Sequence, residues 1–174
     1  MNKPVGRAWI PALLWLAVIA FESTSLMSAE NTGHLLLAID RFFDPRITLA
    51  QLQLLNAVGR KIGHCVGYGI LSLLMLRAWW ATLTLPRSAT RLPSWSAMVT
   101  AWSARAAVLA LLSAAAVASL DEWHQVFLPG RTGTIRDVAL DTTAAAFVQL
   151  LFVAVRKARG KQEAISNLQV MVTA

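Results

Sequence analysis

Charged residues are scarce in this chain of 174 residues, at 14% against about 25% in a typical soluble domain. Hydrophobic residues reach 56%, so there is too little polar surface to cover a water-soluble core. The single cysteine, Cys65, excludes an intrachain disulfide and a cysteine-rich metal site. Alternation of polar and apolar residues is also absent, which argues against strands. The sequence therefore predicts one all-α domain embedded in a membrane.

Four apolar runs approach the roughly 20 residues that a helix needs to cross a bilayer. They cover residues 8–28, 62–85, 102–120 and 138–155. We predict an integral membrane bundle of four transmembrane helices. The first run is expected to be a span rather than a cleaved signal peptide, because Pro11 and Glu22 fit a signal peptide poorly.

The stretch between the first two runs is long for a bare connection. Asp44 and Pro45 form a helix-start signal in it. Apolar residues then follow at helical spacing: Ile47, Leu52, Leu55 and Val58. This pattern predicts an outer interfacial amphipathic helix between the first and second spans. His34, earlier in the same stretch, has no comparable polar neighbours and is expected at the surface.

Basic residues outnumber acidic ones by 16 to 9 and lie in short stretches beside the apolar runs, which does not suggest a nucleic-acid partner. They include Lys3, Arg7, Arg87, Arg91, Arg105, Arg156, Lys157, Arg159 and Lys161. With four spans these positions share one side, which the positive-inside rule predicts to be cytoplasmic, with both termini. Residues 29–61 and 121–137 are predicted to face outward, and residues 162–174 to form a weakly ordered tail. Arg77, within the second run, is expected to extend its charge to the interface.

The second run carries a polar face and a glycine stripe. Lys61, His64 and Tyr68 share one helical face at spacings of three and four. Glycines repeat every four residues beside this face, at Gly59, Gly63 and Gly67. Small residues at that spacing predict close approach of a neighbouring helix.

The other three runs bring polar residues to the same level. The third run ends in Asp121, Glu122, His124 and Gln125; the fourth begins near Asp137 and Asp141; the first ends near Glu22, Ser23 and Ser25. A charge within a bilayer costs roughly 2.5–3.5 kcal/mol, so such groups pair inside a bundle and often mark function. A structural ion-pair network, such as Arg131 with Asp121 or Asp137, is the alternative.

Two stretches resemble the VanZ-like family of bacterial membrane proteins. They are Arg60-Lys61-Ile62-Gly63-His64 followed by Tyr68, and SLDEWHQVFLPGRTGTIRDVALDT over residues 119–142. The family pattern falls on Lys61, His64, Tyr68, Asp121, Glu122, His124, Gln125, Phe127, Pro129, Gly130, Arg131 and Asp137. The resemblance implies a VanZ-like transmembrane domain over residues 1–161, in the bacterial cytoplasmic membrane.

The chain departs from the family pattern at two places. Asp141 stands where the family usually has Asn. An alanine-rich stretch, residues 144–146, replaces a usual glycine, which predicts looser helix packing there. The family is named for an accessory protein of glycopeptide resistance that lowers susceptibility to teicoplanin without altering the peptidoglycan precursor. The resemblance therefore implies a role in the cell envelope and no particular reaction.

Three functions remain open. The first is binding of an anionic lipid head group, a lipid-linked precursor or a lipoglycopeptide at the outer face. Lys61 and Arg131 would hold the anion, and Tyr68, Trp123 and Phe127 would supply apolar contact. The candidate ligand-binding residues are Lys61, His64, Tyr68, Asp121, Glu122, His124, Gln125, Arg131, Asp137 and Asp141.

The second function is a membrane-embedded hydrolase of an envelope lipid. Its candidate catalytic residues are His64 or His124 as general base, oriented by Asp121 or Glu122. The third is a small transporter that acts as a homo-oligomer. No cofactor is expected. A metal held by His64, His124 and a carboxylate is disfavoured, because the spacing is not that of a zinc motif.

Overall fold

The structure is a computed structural model that describes residues 3–28, 33, 47–129 and 131–173, with the backbone alone for residues 163–173. His34, the Asp44-Pro45 signal and Gly130 lie outside the described residues. The described elements are α1 Lys3–Glu22, a 3₁₀ turn Ser25–Met27, α2 Leu49–Thr84, α3 Trp95–Thr100, α4 Ala104–Gln125 and α5 Ile135–Thr173. No strand occurs among them, so the all-α prediction is confirmed.

Four of these helices are long and apolar enough to cross a membrane. The candidate spans are Lys3–Glu22, Leu49–Thr84, Ala104–Gln125 and Ile135–Gln162. The predicted bundle of four transmembrane helices is therefore confirmed. The backbone of α5 continues as helix to Thr173, through the stretch that the sequence predicts to be a weakly ordered tail.

Helix α2 includes both the amphipathic stretch and the second span. It begins with a capping box, in which the Thr48 side chain accepts from the Gln51 backbone N–H and the Gln51 side chain accepts from the Thr48 N–H. Its 36 residues extend about 54 Å at 1.5 Å per residue, well beyond a hydrocarbon core of about 30 Å. Leu52 is buried, whereas Leu55 and Val58 are exposed. The amphipathic stretch thus forms the first turns of α2.

Helix α2 is the centre of the bundle, and it packs against α1, α4 and α5. Helix α4 presents a stripe of fully buried alanines at every fourth residue: Ala106, Ala110, Ala114 and Ala118. Small side chains at this spacing let helices approach closely. At the glycine stripe of α2 a Cβ on Gly59, Gly63 or Gly67 would meet no described atom within 4 Å. The described contact of α1 with this stripe is a hydrogen bond of 2.8 Å from Trp15 Nε1 to the Gly67 carbonyl.

Residues 144–146, at which the sequence predicts looser packing, lie against α2. Ala145 is fully buried, and its carbonyl accepts a hydrogen bond of 3.1 Å from the Ser72 hydroxyl. The amide of Gln149 donates to the same hydroxyl at 2.9 Å. At Gly69 an added Cβ would lie 2.9 Å from Val148 Cγ2, so this glycine allows α2 and α5 to pack closely.

Arg77 contacts the connection that precedes α3. Its Nη2 donates to the Pro93 carbonyl at 2.9 Å, and its guanidinium lies 4.5 Å from the centre of the Trp95 ring. These contacts hold the connection before α3 against α2. The short helix α3 itself packs mainly against α5.

Candidate functional site

The end of the bundle where α1 and α4 finish and α5 begins is called the polar end here. The predicted polar face of α2 meets a different acid at each step: Lys61 with Asp137, His64 with Asp141, and Tyr68 with Asp121. The atoms are 2.8 Å, 3.1 Å and 3.0 Å apart. The first two acids lie on α5 and the third on α4, so this face joins α2 to both helices.

Burial increases along that face toward the bundle interior. The Lys61 side chain is 62% exposed and that of His64 is 27% exposed, whereas Tyr68 is only 2% exposed. The ion pair of Lys61 with Asp137 therefore lies near solvent, where such a pair contributes little stability. The Tyr68 hydroxyl donates to Asp121 in a buried setting. An unsatisfied polar group there would lower the stability of the fold by about 1–3 kcal/mol.

The connection between α4 and α5 folds back over the end of α4. Its Thr134 backbone N–H donates to Glu122 Oε2 at 2.8 Å. The Thr134 hydroxyl accepts from the Asp137 N–H at 3.2 Å, as an N-terminal capping residue does. Gly133 lies so close to the Glu122 carbonyl that a Cβ would overlap its oxygen. The position therefore excludes any side chain.

Arg131 ties this connection to α1. Its Nη2 donates to the carbonyl oxygens of Glu22 at 2.6 Å and Thr24 at 3.0 Å, and the residue is 9% exposed. Burial lowers the pKa of the Arg131 guanidinium from its ordinary value, yet an arginine remains protonated at neutral pH. The residue that the sequence predicts to hold an anion thus also organises the backbone of the site.

A cavity of about 200 Å³ opens at the polar end, and we call it the polar-end cavity. Its described lining is Ala57, Arg60, Lys61, His64, Glu122, Gln125, Arg131, Thr132, Asp137, Leu140 and Asp141. Most of the predicted ligand-binding residues are among them. Arg60 is the charged residue that the sequence analysis left out of its candidates. Its position four residues before His64, on the same helical face, was the available signal.

Tyr68 and Asp121 lie beneath this cavity, beside a pocket of about 10 Å³ that His64 and Gln125 also line. His124 lies elsewhere: it is exposed, and its Nδ1 is 3.3 Å from the Ser23 hydroxyl. The structure therefore does not bring His124 into the polar-end cavity.

Helical geometry explains the position of His124. The buried side of α4 at this end includes Ala118, Asp121, Glu122 and Gln125. At 100° per residue, position 124 lies roughly 110° from the centre of that stripe. The spacing of His124 from Asp121 and Gln125 indicated that the three residues share a face. The buried stripe of α4 is centred on the side of Asp121 and Gln125 that points away from His124, so His124 is left exposed.

Two properties of the cavity bear on its chemistry. Buried Asp141 Oδ1, Asp121 Oδ1 and Gln125 Nε2 have no hydrogen-bond partner within the described part of the chain. His64, Glu122 and Asp141 each offer one ligand atom, and these atoms lie within 4.8 Å of one another. The metal-compatible set therefore contains His64 but not His124, unlike the set weighed from the sequence. The hydrogen bond to Asp141 also orients the His64 imidazole, as a general base requires.

A model of the VanZ/LLP1 family matches residues 8–156, a range that includes all residues lining the polar-end cavity. Neither a curated protein nor a solved structure matches the chain. The family match covers most of the sequence and agrees with the two motif stretches. The chain therefore belongs to the VanZ/LLP1 family of proteins.

Proposed function

We propose that this protein binds the anionic head group of a cell-envelope lipid in the polar-end cavity. The observation that carries the proposal is the presence of three basic side chains, Arg60, Lys61 and Arg131, on the wall of one cavity. The cavity lies at the ends of the candidate spans, which is the level of lipid head groups. The same wall also carries Glu122, Asp137 and Asp141, and we propose that a phosphate-bearing head group lies against the basic side chains.

The size of the cavity favours a head group over a whole lipoglycopeptide. Its volume of about 200 Å³ is below the roughly 300–1,000 Å³ of pockets that enclose drug-sized ligands. An effect on teicoplanin susceptibility, which the family resemblance implies, would then act through the bound lipid rather than through capture of the drug.

Exposed aromatic side chains at the polar end support contact with lipid. Trp123 and Phe127 are 64% and 67% exposed, and their rings pack edge to face at 5.6 Å. Aromatic residues of this kind are enriched at membrane interfaces. Tyr68, the third predicted apolar contact, is instead buried against Asp121, so it contributes to the floor of the site and not to the lipid contact.

We further propose that the polar end faces outward across the bacterial cytoplasmic membrane, with both termini in the cytoplasm. The excess of basic residues at the opposite end supports this orientation. A membrane-impermeant thiol reagent applied to intact cells tests it, after Cys65 has been replaced by alanine. Thr134→Cys should react and Ser94→Cys should not; the reverse pattern would contradict the orientation.

Lys61→Ala should weaken binding of phosphatidylglycerol by roughly fivefold, since one lysine near a head group contributes about 1 kcal/mol. The matched control is Arg87→Ala, which removes an exposed cation from the opposite end and should leave the affinity unchanged. Delipidated protein in detergent is titrated with phosphatidylglycerol, and complexes are counted by native mass spectrometry.

Phosphatidylcholine and inorganic phosphate complete that experiment. Phosphatidylcholine should bind more weakly than phosphatidylglycerol, because it carries no net charge. Equal binding of the two lipids, or an equal loss in both variants, would contradict an anion site in the polar-end cavity. Full competition by inorganic phosphate at low concentration would show that the phosphate, and not the lipid, is the ligand.

A further inference from the structure

We infer that His64, Glu122 and Asp141 bind a divalent transition-metal ion in the polar-end cavity. The three residues come from α2, α4 and α5, so the site forms only when these helices are assembled. Their ligand atoms lie within 4.8 Å of one another. With metal–ligand distances of about 2.1 Å, the ligand atoms of a bound ion would lie about 3.0–3.4 Å apart. Small side-chain movements close that difference.

The carboxylate of Asp141 gives the second, independent observation. Asp141 is 0% exposed, yet it lines the cavity. Its Oδ2 lies 3.1 Å from His64 Nδ1, whereas its Oδ1 accepts no hydrogen bond from the described residues. A buried carboxylate oxygen without a donor is costly. A cation in the adjoining cavity would satisfy it.

The neighbouring side chains leave room for that cation. Lys61, the nearest lysine, is engaged with Asp137 at 2.8 Å. Glu122 is 4% exposed, and its Oε2 accepts a hydrogen bond of 2.8 Å from the Thr134 backbone N–H. Two buried carboxylates beside one imidazole therefore form a negatively charged corner of a cavity whose wall also carries Arg60, Lys61 and Arg131.

The ligand set indicates which ions fit. Imidazole nitrogen suits Zn²⁺ and related transition metals, whereas Mg²⁺ and Ca²⁺ prefer oxygen alone. One imidazole with two carboxylates is thus a mixed site suited to Zn²⁺ or Mn²⁺. Three protein ligands leave at least one coordination position open.

The inference goes beyond the proposed function, because the three ligands can hold an ion whether or not a lipid binds. Tag-free protein is stripped with a chelator, dialysed, and titrated with Zn²⁺ and with Mn²⁺ by calorimetry. Wild type should bind a single ion per chain. His64→Ala and Asp141→Asn should each weaken binding by at least tenfold. His124→Ala and Glu22→Gln, which alter a histidine and a carboxylate outside the ligand set, should not.

Absence of Zn²⁺ and Mn²⁺ binding to wild type, or equal losses in His124→Ala and His64→Ala, would overturn the site. Thermal unfolding provides a readout that does not depend on the variants folding well. Excess Zn²⁺ should raise the melting temperature of wild type but not of His64→Ala, and no rise in wild type would count against the site. Lipid titration in the presence of chelator separates the two proposals. If the protein binds lipid there, but the stripped protein binds neither Zn²⁺ nor Mn²⁺, only the metal site is overturned.

Discussion

Arg131→Ala should lower the free energy of unfolding by about 3 kcal/mol, since hydrogen bonds from a charged group contribute about 1.5–3 kcal/mol each. The substitution removes the donor of two carbonyl groups, those of Glu22 and Thr24. It also detaches the connection between α4 and α5 from α1. Chemical or thermal unfolding in detergent, followed by circular dichroism, measures the loss.

Two other variants give this measurement its control. Arg136→Ala removes an exposed arginine five residues further along and should change stability by no more than about 0.5 kcal/mol. Arg131→Lys should recover only part of the loss, because an ammonium lacks the planar fork of donors. Equal stabilities of Arg131→Ala and Arg136→Ala would show that the carbonyl contacts do not hold the polar end together.

This role of Arg131 changes how its mutants are interpreted. If Arg131→Ala lost lipid binding, the loss would follow from disorganised backbone as readily as from a missing cation. Lys61 is the better probe of anion binding, because its side chain is 62% exposed and its ion pair with Asp137 contributes little stability. The lipid experiment is therefore built on Lys61.

Gly133→Ala should destabilise the protein by about 1–3 kcal/mol, the usual cost of overpacking. An added Cβ would overlap the Glu122 carbonyl oxygen and lie 2.8 Å from Val126 Cγ2. The connection would have to move away from α4, and the Thr134 N–H would move away from Glu122 Oε2. The same unfolding measurement detects the change.

Gly63→Ala is the matched control for Gly133→Ala. Its Cβ would meet nothing within 4 Å, and alanine in a helix interior is about 0.5–1 kcal/mol more favourable than glycine. We therefore expect Gly63→Ala to be stabilised and Gly133→Ala to be destabilised. A Gly133→Ala protein as stable as Gly63→Ala would mean that the close approach at Gly133 is absent in solution.

The sequence predicts those features of the structure that depend on the spacing of residues within a single helix. Run length and hydropathy identified the four spans. Spacing placed Lys61, His64 and Tyr68 on one face, and topology placed acids at the same level. The structure joins that face to Asp137, Asp141 and Asp121. Those pairs follow from helix periodicity together with the need to pair charges inside a bundle.

Periodicity cannot tell which neighbour a face meets. The glycine stripe of α2 and the alanine stripe of α4 have the same spacing, yet the alanines are fully buried, whereas a Cβ on the glycines would meet no described atom within 4 Å. His124 shows the same limit, because its exposure depends on where the buried stripe of α4 is centred. The partners of Arg131 are backbone carbonyls, which every residue possesses, so no residue pattern identifies them.

Native mass spectrometry of protein extracted directly from bacterial membranes is the most direct test of the proposed head-group site. Wild type and Arg87→Ala should both carry an anionic phospholipid, identified by its mass and fragmentation. Lys61→Ala should carry less of it, in line with the roughly fivefold weaker binding expected for this variant, while remaining folded. Wild-type protein without an anionic lipid, or Lys61→Ala with as much lipid as Arg87→Ala, would contradict binding in the polar-end cavity.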